Sequence, residues 1–404
     1  MIKPHALLVV VAIVASSLNA LARADAAADQ AYAEKFRAKY PPVDPVPSFA
    51  QYASAQRYDE LFMGEDLDRA LEKISNKGGG MAWGLAYRMA SLNEMARATK
   101  DPKYVAANLR LIRGALAARD DRTGTRLFDG RVVPAWSSDG YRKGEQALFM
   151  VHTGMIVYPM LDAVLVARSM GGCVDEALRR DLEATVPAAL DSIACHDAAW
   201  RDGPGAGEGH YVMLAEEASG EGKPQPGNRL SAMGRALWCA YRVTNEAKYR
   251  DRAIAMGHYI RRRLPVDDNG AYRWSYWLPI TPLTATQPAT AAPEDTSHAS
   301  LTMAFPLMLA NDGEVFTSED MVRFGRAVVH GIGRLDNGVL FGDVGGLPSS
   351  SPERLGHPAN WLQLAGYAPE VRERIVPFYL RYKPTPTPSE LAYLIRYGDA
   401  AGDP

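Results

Sequence analysis

Cysteine is scarce in this chain. Three residues among 404, Cys173, Cys195 and Cys239, cannot make a disulfide framework. None sits at a metal-ligand spacing, which argues against zinc. Cys173 and Cys195 could pair in an oxidising compartment; the plainer reading makes all three small core hydrophobes on helices. Net charge is scarce too. A formal charge of −2 offers no basic face for phosphates, so nucleic acid is not an expected partner. An acidic polymer stays open, because a local arginine cluster can grip one. Long apolar runs are nearly missing. The run Ala6 to Ala15 is too short to span a bilayer. Behind Lys3 it reads as the apolar part of a secretory signal. The small-x-small sites Ala20-Leu21-Ala22 and Ala22-Arg23-Ala24 follow, so cleavage is expected near Asp25. Residues 1–24 then leave a mature chain of 404 − 24 = 380 residues, periplasmic or secreted. No later stretch reads as apolar enough to cross a membrane.

Strand alternation is the remaining scarcity. Proline at positions 41, 42, 45 and 47 blocks helix there and just before, so residues 25–60 are expected as an extended linker segment. Residues 61–404 are expected as one domain. Within it the apolar period is mostly 3.6. Leu85, Met89, Leu92 and Met95 share one face, as do Val105, Leu109, Ile112 and Leu116.

One repeat stands out. Thr99, Lys103 and Tyr104 match Thr244, Lys248 and Tyr249 at a constant offset of 145. Each set lies between two amphipathic helices, and each second helix runs into an Asp-Asp pair, Asp120-Asp121 or Asp267-Asp268. A repeated helical hairpin is the unit of solenoids and closed toroids. Extended along the chain, the pattern predicts pairs at about 80–118, 146–198, 228–264, 298–332 and 359–400. The expected fold is all-α, an (α/α) toroid of helical hairpins with short β segments in the connecting loops. An open helical array is the competing architecture.

Closure would bring the starts of the inner helices to one cleft. Those starts carry Trp83 after Gly78-Gly79-Gly80, then His152-Thr153-Gly154, Asn228-Arg229, Glu294 to His298, and Asn360-Trp361. Helix N-termini favour anions such as carboxylates. Each residue has a plainer reading: Asp295 and Asn228 as caps, His152 as a core histidine, Trp83 and Trp361 as core. The connections add Trp136, Asp139 and Tyr141, then Glu208, His210 and Tyr211. The segment Tyr272 to Trp277 reads as a short strand, with Tyr272, Trp274 and Tyr276 opposite Arg273 and Trp277.

On these residues, across about 75–365, the chain resembles an (α/α)-toroid polysaccharide lyase of the alginate or glucuronan type. The resemblance implies β-elimination on an anionic uronate polysaccharide by a monomer. Asn228, with His152 or Arg273, would neutralise the carboxylate as charge develops, and Tyr276 and His298 would move the protons. Trp83, Trp136, His210, Tyr211, Trp274 and Trp361 would line the sugar cleft with Arg273. No cofactor or catalytic metal is implied, although Glu294 and Asp295 could hold a structural Ca²⁺. In some such enzymes a histidine follows the asparagine; here Arg229 does. Three alternatives remain: a glycoside hydrolase on the same toroid, using two of Asp139, Glu208, Glu294 and Asp295; a uronate C5-epimerase; and a glycan-binding protein without turnover.

Overall fold

The computed structural model describes residues 25–142, 144–215, 217, 220–283 and 292–399. The expected signal segment, 1–24, lies outside them. The segment expected as linker is largely helical: α1 spans residues 25–39, α2 Phe49–Tyr52, α3 Ala55–Phe62 and α4 Glu65–Glu72. Only the proline stretch between α1 and α2 stays extended. The reasons are local and tertiary together. Ser48 and Ser54 accept backbone hydrogen bonds as N-caps. Tyr32 and Phe36 of α1 sink into the core, where Tyr32 stacks on Phe341 at 4.3 Å.

The first hairpin joins α5 (Ala86–Thr99), entered through a π-turn at Met81–Leu85, to α6 (Pro102–Ala117), with the short α7 (Asp120–Thr123) behind it. Then come α8 (Met150–Ser169) with α9 (Glu176–Glu183) and α10 (Val186–Ala194), and α11 (Gly227–Thr244) with α12 (Ala247–Arg261). Next are α13 (Thr296–Asn311) with α14 (Ser318–Ala327), the 3₁₀ helix Pro358–Leu364 with α15 (Glu370–Tyr382), and last α16 (Pro388–Tyr397).

The sequence repeat is a repeated corner. Thr99 donates to Met95 O and Thr244 to Ala240 O, both at 2.8 Å. Each threonine then accepts the backbone N–H two residues on, at 3.2 Å. Lys100 and Asn245 take left-handed φ of 57° and 61° to end their helices. Tyr104 and Tyr249 are buried under the ammonium groups of Lys103 and Lys248.

Six inner elements close a ring. α5 packs on α8, α8 on α11, α11 on α13, α13 on the Pro358–Leu364 helix, that helix on α16, and α16 back on α5. They run the same way round. Side chains from their C-terminal turns meet one another (Arg97 with Asp162, Trp238 with Asp312, Arg396 with Glu94), and so do side chains from their starts (Trp83 with His152, Tyr87 with His357). A narrow void of about 20 Å³ on the axis touches all six elements. The architecture is the expected (α/α) toroid. It has six inner elements where five pairs were predicted. The span 359–400 holds an inner 3₁₀ helix, the outer α15 and a further inner helix. The N-terminal helices supply the outer layer there: α3 packs on α16, and Tyr58 bonds Ser91 of α5 at 2.7 Å.

Helix α8 is long and apolar enough to cross a membrane, contrary to expectation, yet it is almost wholly buried in the ring. A helix enclosed on all sides is apolar all round, so hydropathy alone does not separate the two cases. Side chains such as Ile156, Met160 and Leu161 are buried, each worth roughly 1.5–3 kcal/mol. Gly154 has a packing role: a Cβ there would lie 2.6 Å from the backbone of Ala232 and Met233, so α8 and α11 touch main chain to main chain. Strand is confined to connections. β1 (Trp200–Asp202) pairs antiparallel with β2 (Gly209–Tyr211), Trp200 opposite Tyr211. The expected strand at Tyr272 to Trp277 is a single bridge, Val266 to Tyr272. Its burial alternation survives, with Tyr272 and Trp274 inside and Trp277 outside.

All three cysteines are free. Only Cys239 is a buried helical residue; Cys173 is exposed in a 3₁₀ turn.

Candidate functional site

The N-terminal ends of the inner elements form one mouth. Asp295 caps α13 by accepting from His298 N, which places the His298 ring one turn along the same helix. His298 Nδ1 then bonds Asp295 Oδ2 at 2.6 Å, with the imidazole 42% exposed. Burial pushes the Asp295 carboxyl upward, but hydrogen bonds from His298 and Ser297 outweigh it and hold the group below the usual carboxylate range. Asp295 is therefore an ionised anchor that orients a partly exposed imidazole.

Tyr276 meets His298 edge to face, with ring centroids 5.1 Å apart. Burial raises the Tyr276 pKa, and the charge and hydrogen bond of Arg229 only partly offset this. Arg229, in the first turn of α11, is ion-paired with Glu217, which also accepts from Gln225. The mouth thus carries a chain of contacts running Glu217, Arg229, Tyr276, His298, Asp295.

A second group lies across the ring. Trp83 donates Nε1 to Tyr141 Oη at 2.8 Å, and both rings pack on His152. Gly78 N donates to Asp139 at 2.8 Å, which holds the glycine turn against the same loop. Beside Trp83, where α16 meets the start of α5, opens a cavity of about 390 Å³ with Lys73, Tyr87, His357, Thr387 and Ser389 in its walls. That volume suits a ligand of sugar size. Tyr141 and Trp277 stand 55% and 51% exposed. Aromatic faces left in water are the part of such a site able to stack on pyranose rings.

The structure divides the residues expected at the site. It brings Tyr276 and His298 together at the mouth, with Trp83 on its other side. Asn228 is 1% exposed, so its carboxamide is sealed beneath the mouth. His152 is sealed as well, and burial, then the charge of Arg229, lowers its pKa to about 3. It is a neutral core histidine. Trp136, Trp274, Trp361 and Tyr211 are core residues: Trp136 Nε1 bonds Ala115 O at 2.7 Å, and Trp274 Nε1 bonds Glu294. His210 is buried and stacks on Tyr259 at 4.6 Å, behind the β hairpin. Arg273 pairs with Asp267 at 3.1 Å, and its charge also acts on Asp343.

The carboxylates named for a hydrolase divide too. Glu208 is committed to Arg262 and Arg263. Glu294 faces the core, accepts from Trp274 and Thr302, and is raised well above the ordinary range by burial. Glu294 and Asp295 thus point to different surroundings, and among the described residues no group of three acidic, histidine or cysteine side chains could hold a metal. Glu217 was not picked out from the sequence. It sits in a glycine-rich connection with no periodic or motif signal, and only folding brings it to Arg229.

No family model matches the chain, and no curated protein is similar to it. Among solved structures, the chain is similar to the glycoside hydrolase family 76 α-1,6-mannanase of Salegentibacter sp. HEL1_6, at 14% identity and a TM-score of 0.45, over 78% of this chain and 87% of that one. An inactive variant of that mannanase in complex with α-1,6-mannotriose gives 14% identity and a TM-score of 0.46 over the same shares. A family 76 glycoside hydrolase from a bovine Bacteroides thetaiotaomicron strain gives 11% and 0.39, over 78% of this chain and 67% of that one. These structures are hydrolases. The lyase expectation, with alginate or glucuronan as substrate, is corrected accordingly.

Proposed function

We propose that the chain is a glycoside hydrolase that cleaves a polysaccharide or oligosaccharide laid across the mouth of the ring. The observation that carries this reading is the contact chain at the mouth, which joins two carboxylates, Asp295 and Glu217, through His298, Tyr276 and Arg229. Glycosidic hydrolysis needs one group to protonate the leaving oxygen and another to handle the attacking water or the positive charge at the anomeric carbon. In this reading His298, oriented by Asp295, gives the proton to the glycosidic oxygen. Water adds to the anomeric carbon, and its proton passes to Glu217. Trp83, Tyr141 and Trp277 stack on the sugars.

The test is a panel of neutral and acidic polysaccharides in ¹⁸O-labelled water. Hydrolysis releases new reducing ends carrying the label and creates no unsaturated sugar. Asp295→Asn and His298→Ala should each lower turnover by about 10²- to 10⁴-fold, the usual worth of a positioned acid or base, with helicity unchanged. The reading falls if no polymer yields labelled ends, or if His298→Ala keeps full activity.

A further inference from the structure

The opposite end of the ring holds a second pocket, of about 290 Å³, lined from the middle to the C-terminal ends of the inner elements. Four arginines line it, Arg97, Arg235, Arg242 and Arg396, against three carboxylates, Glu94, Asp162 and Asp312. By residue count, four minus three leaves one positive charge in excess.

The carboxylates are already taken. Asp162 accepts from both Arg97 and Asn93. Glu94 accepts from Arg97 at 3.0 Å and also from Arg396 and Tyr397. Asp312 accepts from Arg242 and, at 2.7 Å, from Trp238. Arg235 is left over. It rises from the middle of α11 and is 6% exposed. Its guanidinium lies over the Tyr158 ring at 4.3 Å. Its one hydrogen-bond acceptor among the described residues is Met155 Sδ at 3.3 Å, and Nε has none. Arg235 lines both the axial void and the floor of this pocket.

A buried guanidinium without a carboxylate is costly to hold. The planar fork of arginine binds carboxylates and phosphates in two-point fashion. We infer that this far pocket is a binding site for a small oxyanion, a carboxylate or phosphate, which Arg235 grips from the floor. The site lies at the end of the ring opposite the mouth.

The test uses the whole protein in low-salt buffer. Acetate, glucuronate and inorganic phosphate are titrated in turn, and thermal unfolding and tryptophan fluorescence are read, since Trp238 lines the pocket. At least one anion should raise Tm in a saturable way, and the three arms separate simple carboxylate, sugar acid and phosphate. Arg235→Met should weaken that response at least tenfold. Arg235→Lys, which keeps the charge without the fork, should fall between the two. Should Arg235→Met fail to fold, Arg235→Gln, which removes the charge and keeps a polar head, takes its place and should weaken the response likewise. No saturable response to any of the three anions in the parent protein overturns the inference, as does an equal response in the variants that fold.

Discussion

The polar residues of the ring split by exposure, and this decides what each can do. His298 keeps an open face while Asp295 fixes its other side. His152 and His196 are shut in, and burial lowers their pKa values to about 3 and about 4. The unfolded chain takes up these protons near pH 6.5, while the fold refuses them until far lower pH. Their contribution is therefore whole above about pH 6.5 and is lost as pH falls toward 3, at up to about 1.4 kcal/mol per pH unit for each histidine. Urea midpoints measured from pH 8 to pH 4 should fall below pH 6.5, and His196→Gln should flatten that fall; equal slopes in both proteins would refute the assignment. Glu294 has the opposite sign. Its folded pKa is raised, so stability is complete below about pH 4.5 and declines as pH rises. Glu294→Gln should unfold at a higher temperature than the parent at pH 7, and the gap should close toward pH 4.5. A gap independent of pH would mean that the carboxyl does not titrate between the two states. Legibility at this scale was partial. Aromatic and polar types at helix starts marked one end of the ring, and the structure gathers Trp83, Tyr276 and His298 there. Which of them faced water was not written in sequence, because Asn228 and Arg229 are neighbours yet turn to different sides of one helix turn.

At the scale of elements, the clearest sequence signal was the corner at Thr99 and Thr244, and the structure repeats it bond for bond. The threonine, the left-handed residue and the tyrosine act as one stop-and-turn unit. Lys100 carries the left-handed backbone at an exposed site, where a Cβ is a penalty and glycine has none. Lys100→Gly should raise stability by about 0.5–1 kcal/mol, read as a shift in denaturation midpoint; a loss would show that the lysine side chain stabilises the corner more than its backbone strains it. The weak signals were elsewhere. The fifth inner element is a seven-residue 3₁₀ helix that begins with proline, so it shows no 3.6 period to read. The proline stretch hid the helices on either side of it, since their packing partners lie more than three hundred residues away, as with Tyr32 and Leu340.

At the scale of the molecule, the ring is held shut by its last helix. α16 fills the gap between the first inner helix and the fifth inner element, buries Leu391 and Leu394, and places Arg396 on Glu94. Removing residues 386–404 should therefore abolish cooperative unfolding of the whole domain, seen as a broad, low-enthalpy calorimetric transition; a sharp transition at the parent temperature would mean that five elements suffice. Closure was inferred from hairpins of similar length, and the sixth member escaped because its outer partner comes from the other end of the chain. The narrow axis has a consequence for traffic. The void at its centre has room for about one water, too narrow in this conformation for a sugar chain to pass end to end. In the proposed reading, a long polymer would lie over the rim and depart from the side on which it arrived, and the inferred anion would come and go by a door of its own.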